Sequence, residues 1–196
     1  MLATGYNPIL GYSALIEGVI GTEYSIGETI RQATPLILAG LAVAFAFRTG
    51  LFNIGVEGQL IVGWFAAVWV GISFDLPSYI HLPLAVLAAA VTGALWAAIP
   101  GLLKARLRVH EVIVSIMLNY TALYVTNYMI RNVLTDNTDT TERIAETASL
   151  RSEFLSCITD LSRLHWGIVI AIIGAIIMWF ILEKTKTGYE LKAVGF

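Results

Sequence analysis

Residues 48–59, Arg-Thr-Gly-Leu-Phe-Asn-Ile-Gly-Val-Glu-Gly-Gln, place three glycines, two amides and a carboxylate between two apolar segments. The first of those segments, 33–47, is short for a full membrane crossing. Interrupted apolar segments in membrane transport proteins mark broken helices, whose free backbone groups line a pathway. Asn53, Glu57 and Gln59 are therefore candidate path residues. A carboxylate facing lipid is costly, so Glu57 must face protein or water. There it could carry a proton, accept a hydrogen bond from a polar solute, or anchor the loop. The plainer alternative is an ordinary turn, with Glu57 in the first turn of the next helix, where the helix dipole favours an acid.

The apolar segment 112–130 is the second place with chemistry to offer. At helical spacing, Ser115, Asn119, Ala122 and Thr126 share one face, while Tyr120, Tyr124 and Asn127 share another. Polar groups on two faces imply that little of this helix meets lipid. Hydrogen bonds between helices would satisfy them. A polar and aromatic wall equally suits a small solute bearing a ring and hydroxyls, which makes Ser115, Asn119 and Tyr120 candidates for solute contact. Catalysis has no foothold: there is no glycine-rich phosphate loop and no Ser/His/Asp or Cys/His set. His81, His110 and His165 are scattered without metal-ligand spacing, and Cys157 is the single cysteine. The chain is expected to be no enzyme, with no cofactor, metal or nucleic-acid partner.

The elements that would position these residues follow from composition. The chain is 57% hydrophobic and 13% charged, with mean hydropathy +0.76, well outside the range of soluble domains. Five apolar segments stand out, at 33–47, 58–74, 82–103, 112–130 and 164–182, with Pro35 placed in the first turn of its helix, where proline is tolerated. In lipid the backbone must satisfy its own hydrogen bonds, so the expected fold is all-α, a polytopic transmembrane bundle of about five spans. Ala85, Ala89, Gly93, Ala97 and Gly101 repeat every fourth residue, as do Gly167, Ala171 and Ala175. Such stripes let helix backbones approach closely in lipid.

Arg48, the Lys104/Arg106/Arg108 cluster and the Lys184/Lys186/Lys192 tail fall on one side, and the acid-rich stretch 136–160 on the other. The positive-inside rule then puts the N-terminus outside, 132–163 in an extracytoplasmic loop, and the C-terminus in the cytoplasm. Within that loop Leu150, Phe154, Ile158 and Leu161 have the spacing of a short amphipathic helix, either capping the bundle or docking an external partner. No basic stretch followed by an apolar core marks a cleavable signal peptide. Residues 1–8 read as the tail of a helix, and 195–196 stop within a polar segment. The whole of 1–196 is expected to be one partial transmembrane domain, about half of a larger protein.

Three stretches carry a family resemblance. Residues 50–60, Gly-Leu-Phe-Asn-Ile-Gly-Val-Glu-Gly-Gln-Leu, resemble the signature of permeases in importers for nucleosides and related simple-sugar compounds. Lys104-Ala105-Arg106 through His110–Tyr120 resembles the family's cytoplasmic loop and following helix. Residues 187–196, Thr-Gly-Tyr-Glu-Leu-Lys-Ala-Val-Gly-Phe, resemble the segment that docks on the ATPase. The wider family also serves ribose-type sugars, riboflavin and branched-chain amino acids, and its permeases carry a further leading helix and a second set of spans.

The resemblance implies a multi-pass protein of the bacterial inner membrane, working with an extracytoplasmic solute-binding protein, a second permease subunit and a cytoplasmic ATP-binding subunit. It also implies that 184–196 begins a cytoplasmic coupling segment. Gly188, Tyr189, Glu190, Leu191, Lys192, Val194 and Gly195 would there form a short helix, with Tyr189, Leu191, Val194 and Lys192 as its knob and the glycines setting its ends. A secondary transporter using Glu57 as its coupling carboxylate, and a structural membrane subunit with no path, are the competing readings.

Overall fold

The computed structural model describes residues 7–135, 138, 140–151 and 163–195. Seven α-helices lie along them: α1 (Pro8–Ile20), α2 (Glu23–Arg48), α3 (Val56–Ser73), α4 (Ser78–Leu107), α5 (Glu111–Met129), α6 (Gly167–Lys184) and α7 (Lys186–Val194). Five stretches are long and apolar enough to cross a membrane: α2, α3, α4, α6, and α5 together with the π-helical turn that extends it to Leu134. The expected all-α fold with five span-length helices is observed, and among the described residues there is no strand beyond one isolated bridge, Arg151 to His165.

Two boundaries differ from expectation. Pro8 belongs to no helix tail; it is the first residue of α1, and the Asn7 side chain caps that start by accepting from the Ile9 N–H. The segment around 33–47 is not short, because α2 runs for 26 residues and holds Pro35 in its interior. Two local arrangements allow this. Glu28 and Arg31 pair at 2.7 Å, which lowers the cost of charge in the early turns. The Thr34 hydroxyl donates to the Ile30 carbonyl, in the turn beside the Arg31 carbonyl that Pro35, lacking an N–H, cannot serve. The break after Arg48 therefore follows a full-length helix.

The chain divides into two compact units. In the first, residues 1–38 with 150–178, Thr29 joins α2 to α1 by donating to the Val19 carbonyl, and Glu28 accepts from the Arg163 backbone N–H. Ala171 and Gly167 of the α6 small-residue stripe are buried. Of the proposed amphipathic helix, Phe154, Ile158 and Leu161 lie outside the described residues.

In the second unit, residues 39–149 with 179–196, α3 and α4 form an antiparallel pair whose spacing is set by small residues. A methyl at Gly63 would stand 3.0 Å from the Ala89 carbonyl oxygen, and one at Gly93 would meet the Gln59 carbonyl at 3.4 Å. The stripe thus works as expected at Ala89 and Gly93, Ala85 is buried, and Gly101 has open space beside it. The π-helical turn after α5 carries the chain to Leu134. The chain then returns, and 144–148 packs on the end of α3: Ala145 donates to the Gly71 carbonyl, and Ile144 and Ala148 crowd Gly71. His81, fully buried, pins this return, with Nδ1 2.8 Å from the Thr147 hydroxyl and Nε2 3.1 Å from the Val70 carbonyl. The carbonyl can only accept, so Nε2 carries a hydrogen.

Candidate functional site

After Arg48 the chain leaves α2 through a turn closed by Gly50 N–H to the Phe47 carbonyl and Leu51 N–H to the Ala46 carbonyl. Gly50 sits at φ +72°, the left-handed region that glycine enters without penalty. Phe52 folds back on Phe47, their rings 5.0 Å apart. Asn53 then makes a local turn, its Oδ1 accepting from Gly55 N–H at 2.9 Å and, at the long distance of 3.4 Å, from Gln59 Nε2.

Helix α3 is preceded at its capping position by Gly55, which has no side chain to cap it. The first-turn N–H groups of a helix need partners from elsewhere. Asn119, more than 60 positions along the chain on α5, supplies one. Its Oδ1 accepts from Gly58 N–H at 2.9 Å, while its Nδ2 donates to the Ile54 carbonyl at 3.1 Å. One amide therefore holds both sides of the break. The glycines make the approach possible: a methyl at Gly58 would be 2.8 Å from Asn119 Oδ1, and one at Gly55 would be 3.3 Å from Ser115 Cβ.

The six expected path residues thus separate into two groups. Asn53, Asn119 and, more weakly, Gln59 hold the loop by hydrogen bonds, and Ser115 is buried beneath Gly55. Glu57 and Tyr120 are exposed, and among the described residues neither has a hydrogen-bond or ion-pair partner. Both line an open groove of about 540 Å³ with Ile54, Ile116, Asn119 and Leu123. The two polar faces of α5 also part company: Ser115, Ala122 and Thr126 are buried, while Tyr120, Tyr124 and Asn127 are exposed. A second, mostly apolar hollow lies beside the loop, bounded by Phe52, Asn53, Ala97 and Ser115, with Lys104 and Glu111 paired at 2.5 Å on its rim.

Trp96 escaped the sequence reading. Its indole Nε1 is buried and, among the described residues, has no hydrogen-bond partner; a methyl at Gly58 would lie 3.2 Å from it. Nothing in the spacing of α4 singles it out, since the contact depends on how α3 and α4 pair.

The expected coupling segment is a helix, but its ends differ from expectation. Thr185 caps α7, its hydroxyl accepting from Gly188 N–H and donating to the Ile181 carbonyl. Gly188 lies inside the helix, buried against the backbone of Ile181 and Leu182, so it governs packing rather than the start. Gly195 does end the helix. A methyl there would stand 2.5 Å from the Arg48 carbonyl oxygen and 2.9 Å from Gly50 N, so the end of α7 rests directly on the turn that opens the signature loop. The knob is also redistributed. Tyr189 and Val194 are 76% and 79% exposed, and Glu190 is exposed. Leu191 is half-buried, and Lys192 is held by Glu183.

A polytopic helical membrane protein with a side-chain-tied helix break beside an open groove is the class that fold and site define. The family pattern of the branched-chain amino acid transport system permease component matches residues 25–196, and the chain belongs to that family. Over all of its length it is 66% identical to the guanosine ABC transporter permease protein NupP of Bacillus subtilis, of which it covers 56%. It is likewise 46% identical to the nucleoside ABC transporter permease protein NupB of Lactococcus lactis subsp. cremoris, covering 56% of it. To the glucose ABC transporter permease protein TsgB13 of Haloferax volcanii it is 34% identical, covering 53%. The chain spans about half the length of the curated relatives it matches. No solved structure matches it.

Proposed function

We propose that this chain is the signature-bearing part of the permease subunit of an ATP-driven nucleoside importer. The observation that carries the proposal is similarity over the whole of this chain to a guanosine and a nucleoside ABC transporter permease protein, at 66% and 46% identity. In this reading the spans form the solute path in a bacterial cell membrane, with the N-terminus outside and the C-terminus in the cytoplasm. An extracytoplasmic binding protein delivers the nucleoside, a second permease subunit completes the path, and a separate cytoplasmic ATPase hydrolyses ATP.

The geometry supports a mechanical route for coupling. The exposed Tyr189 and Val194 offer α7 to the ATPase, and an amphipathic helix seated in a groove is a common mode of recognition. Movement of α7 is passed on where Gly195 bears on Arg48 and Gly50, backbone against backbone with no flexible side chain between. The displaced turn leads into residues 51–58, which Asn119 ties to α5. Docking at one end would thereby shift the helix break beside the groove.

The test is uptake of radiolabelled guanosine by cells lacking their own nucleoside transport and expressing the complete transporter. Uptake should vanish when ATP is depleted and persist when an uncoupler collapses the ion gradients. Uptake that survives ATP depletion and collapses with the uncoupler would instead make Glu57 the coupling carboxylate of a secondary transporter.

A further inference from the structure

We infer that Glu57 and Tyr120 form a subsite that reads a pair of adjacent hydrogen-bond donors on the passing solute. The inference rests on the reading of the whole protein as a nucleoside permease and assigns that path its recognition chemistry. Its premise is the partition of polar groups around the helix break. Asn119 spends both of its amide groups on backbone, the Asn53 oxygen accepts from Gly55 N–H, and Ser115 is buried. What remains facing the groove is the Glu57 carboxylate and the 58%-exposed Tyr120 ring. An ionised carboxylate is costly against lipid, and among the described residues no cation or donor meets this one. Water and solute in the path are the partners that its position calls for.

An ionised carboxylate only accepts, through two oxygens set side by side. It therefore favours two adjacent donors, as it does in bidentate pairing with a guanidinium. A nucleoside carries such a pair in two places. The guanine edge presents N1–H beside the exocyclic amino group, and the ribose presents its 2′ and 3′ hydroxyls. Hypoxanthine lacks the amino group, so inosine keeps the ribose pair while losing the base pair. The Tyr120 ring and the flanking Ile54, Ile116 and Leu123 offer the apolar surface against which a base or the sugar face can lie.

The experiment uses the complete transporter with its binding protein in proteoliposomes, following ATP-dependent uptake of guanosine, inosine and 2′,3′-dideoxyguanosine. Glu57→Gln turns half of the acceptor pair into a donor, and a lost charge-assisted hydrogen bond should lower guanosine uptake about tenfold or more. Uptake of one analogue should fall far less, because that analogue already lacks the donors being read: inosine if the base edge is read, 2′,3′-dideoxyguanosine if the ribose is. Glu57→Asp should restore much of the discrimination. Tyr120→Leu, an exposed change with little effect on folding, should raise KM for guanosine more than it lowers the maximal rate. Equal losses for all three solutes in Glu57→Gln, or unchanged discrimination in both Glu57→Gln and Tyr120→Leu, would overturn the inference. Wild-type liposomes that take up none of the three would instead overturn the nucleoside reading itself.

Discussion

Replacing Asn119 with leucine keeps the approximate volume of the side chain and removes both ties across the helix break. Gly58 N–H and the Ile54 carbonyl, bonded at 2.9 and 3.1 Å, lose their partners together. A buried polar group left unpaired costs about 1–3 kcal/mol. Interhelical hydrogen bonds in lipid fall toward the low end, averaging about 0.6 kcal/mol, because the unfolded chain in a membrane also finds partners. For one part-buried and one exposed group we expect about 1–2 kcal/mol, which is roughly a 5- to 30-fold shift in the folding equilibrium. Asn119→Asp should fall between wild type and leucine, since it still accepts from Gly58 but can no longer donate to Ile54. Tyr120→Leu, one residue on but exposed, should stay within about 0.5 kcal/mol of wild type. The assay is graded denaturation of the complete permease in mixed detergent micelles, followed by far-UV circular dichroism. An Asn119→Leu midpoint equal to that of Tyr120→Leu would refute the assignment of Asn119 as the tie that closes the break.

Gly195→Ala places a methyl about 2.5 Å from the Arg48 carbonyl oxygen. The backbone must shift, and more ATP should be consumed per solute moved; an unchanged ratio in proteoliposomes would dissociate α7 from the signature loop. Tyr189→Asp puts a charge on the exposed knob, so it should weaken co-purification of the ATPase several-fold without lowering the permease's unfolding midpoint. Full recovery of the ATPase would leave α7 a solvated helix. For topology, single cysteines in a Cys157→Ser background should react with an impermeant thiol reagent from outside at Thr138 and from inside at Lys186, and labelling of both from one side would break the five-span arrangement.

The number and type of the spans were legible in the sequence because a crossing helix is a one-dimensional object. About 20 apolar residues, free of charge, must be helical in lipid whatever lies beside them. The interruption between the first two spans was legible too, through glycines and polar groups set where apolar residues were expected. Local reading erred at the first span: taking Pro35 for the first turn made the span look short, whereas α2 runs for 26 residues with Pro35 in its interior.

Only the tertiary structure could assign the roles. Asn119 and Tyr120 are neighbours in sequence, yet a helix turns 100° between them, so one reaches Gly58 and Ile54 and the other faces the groove. Asn53 and Glu57 share a motif, but one bonds its own loop and the other is left without a partner among the described residues. The approach of Gly195 to Gly50 joins positions 145 apart in the chain and leaves no periodic trace. A polar residue's type says what bonds it can make. Which of them are already made, and so what remains for a solute, is decided by the groups that packing brings within about 3 Å.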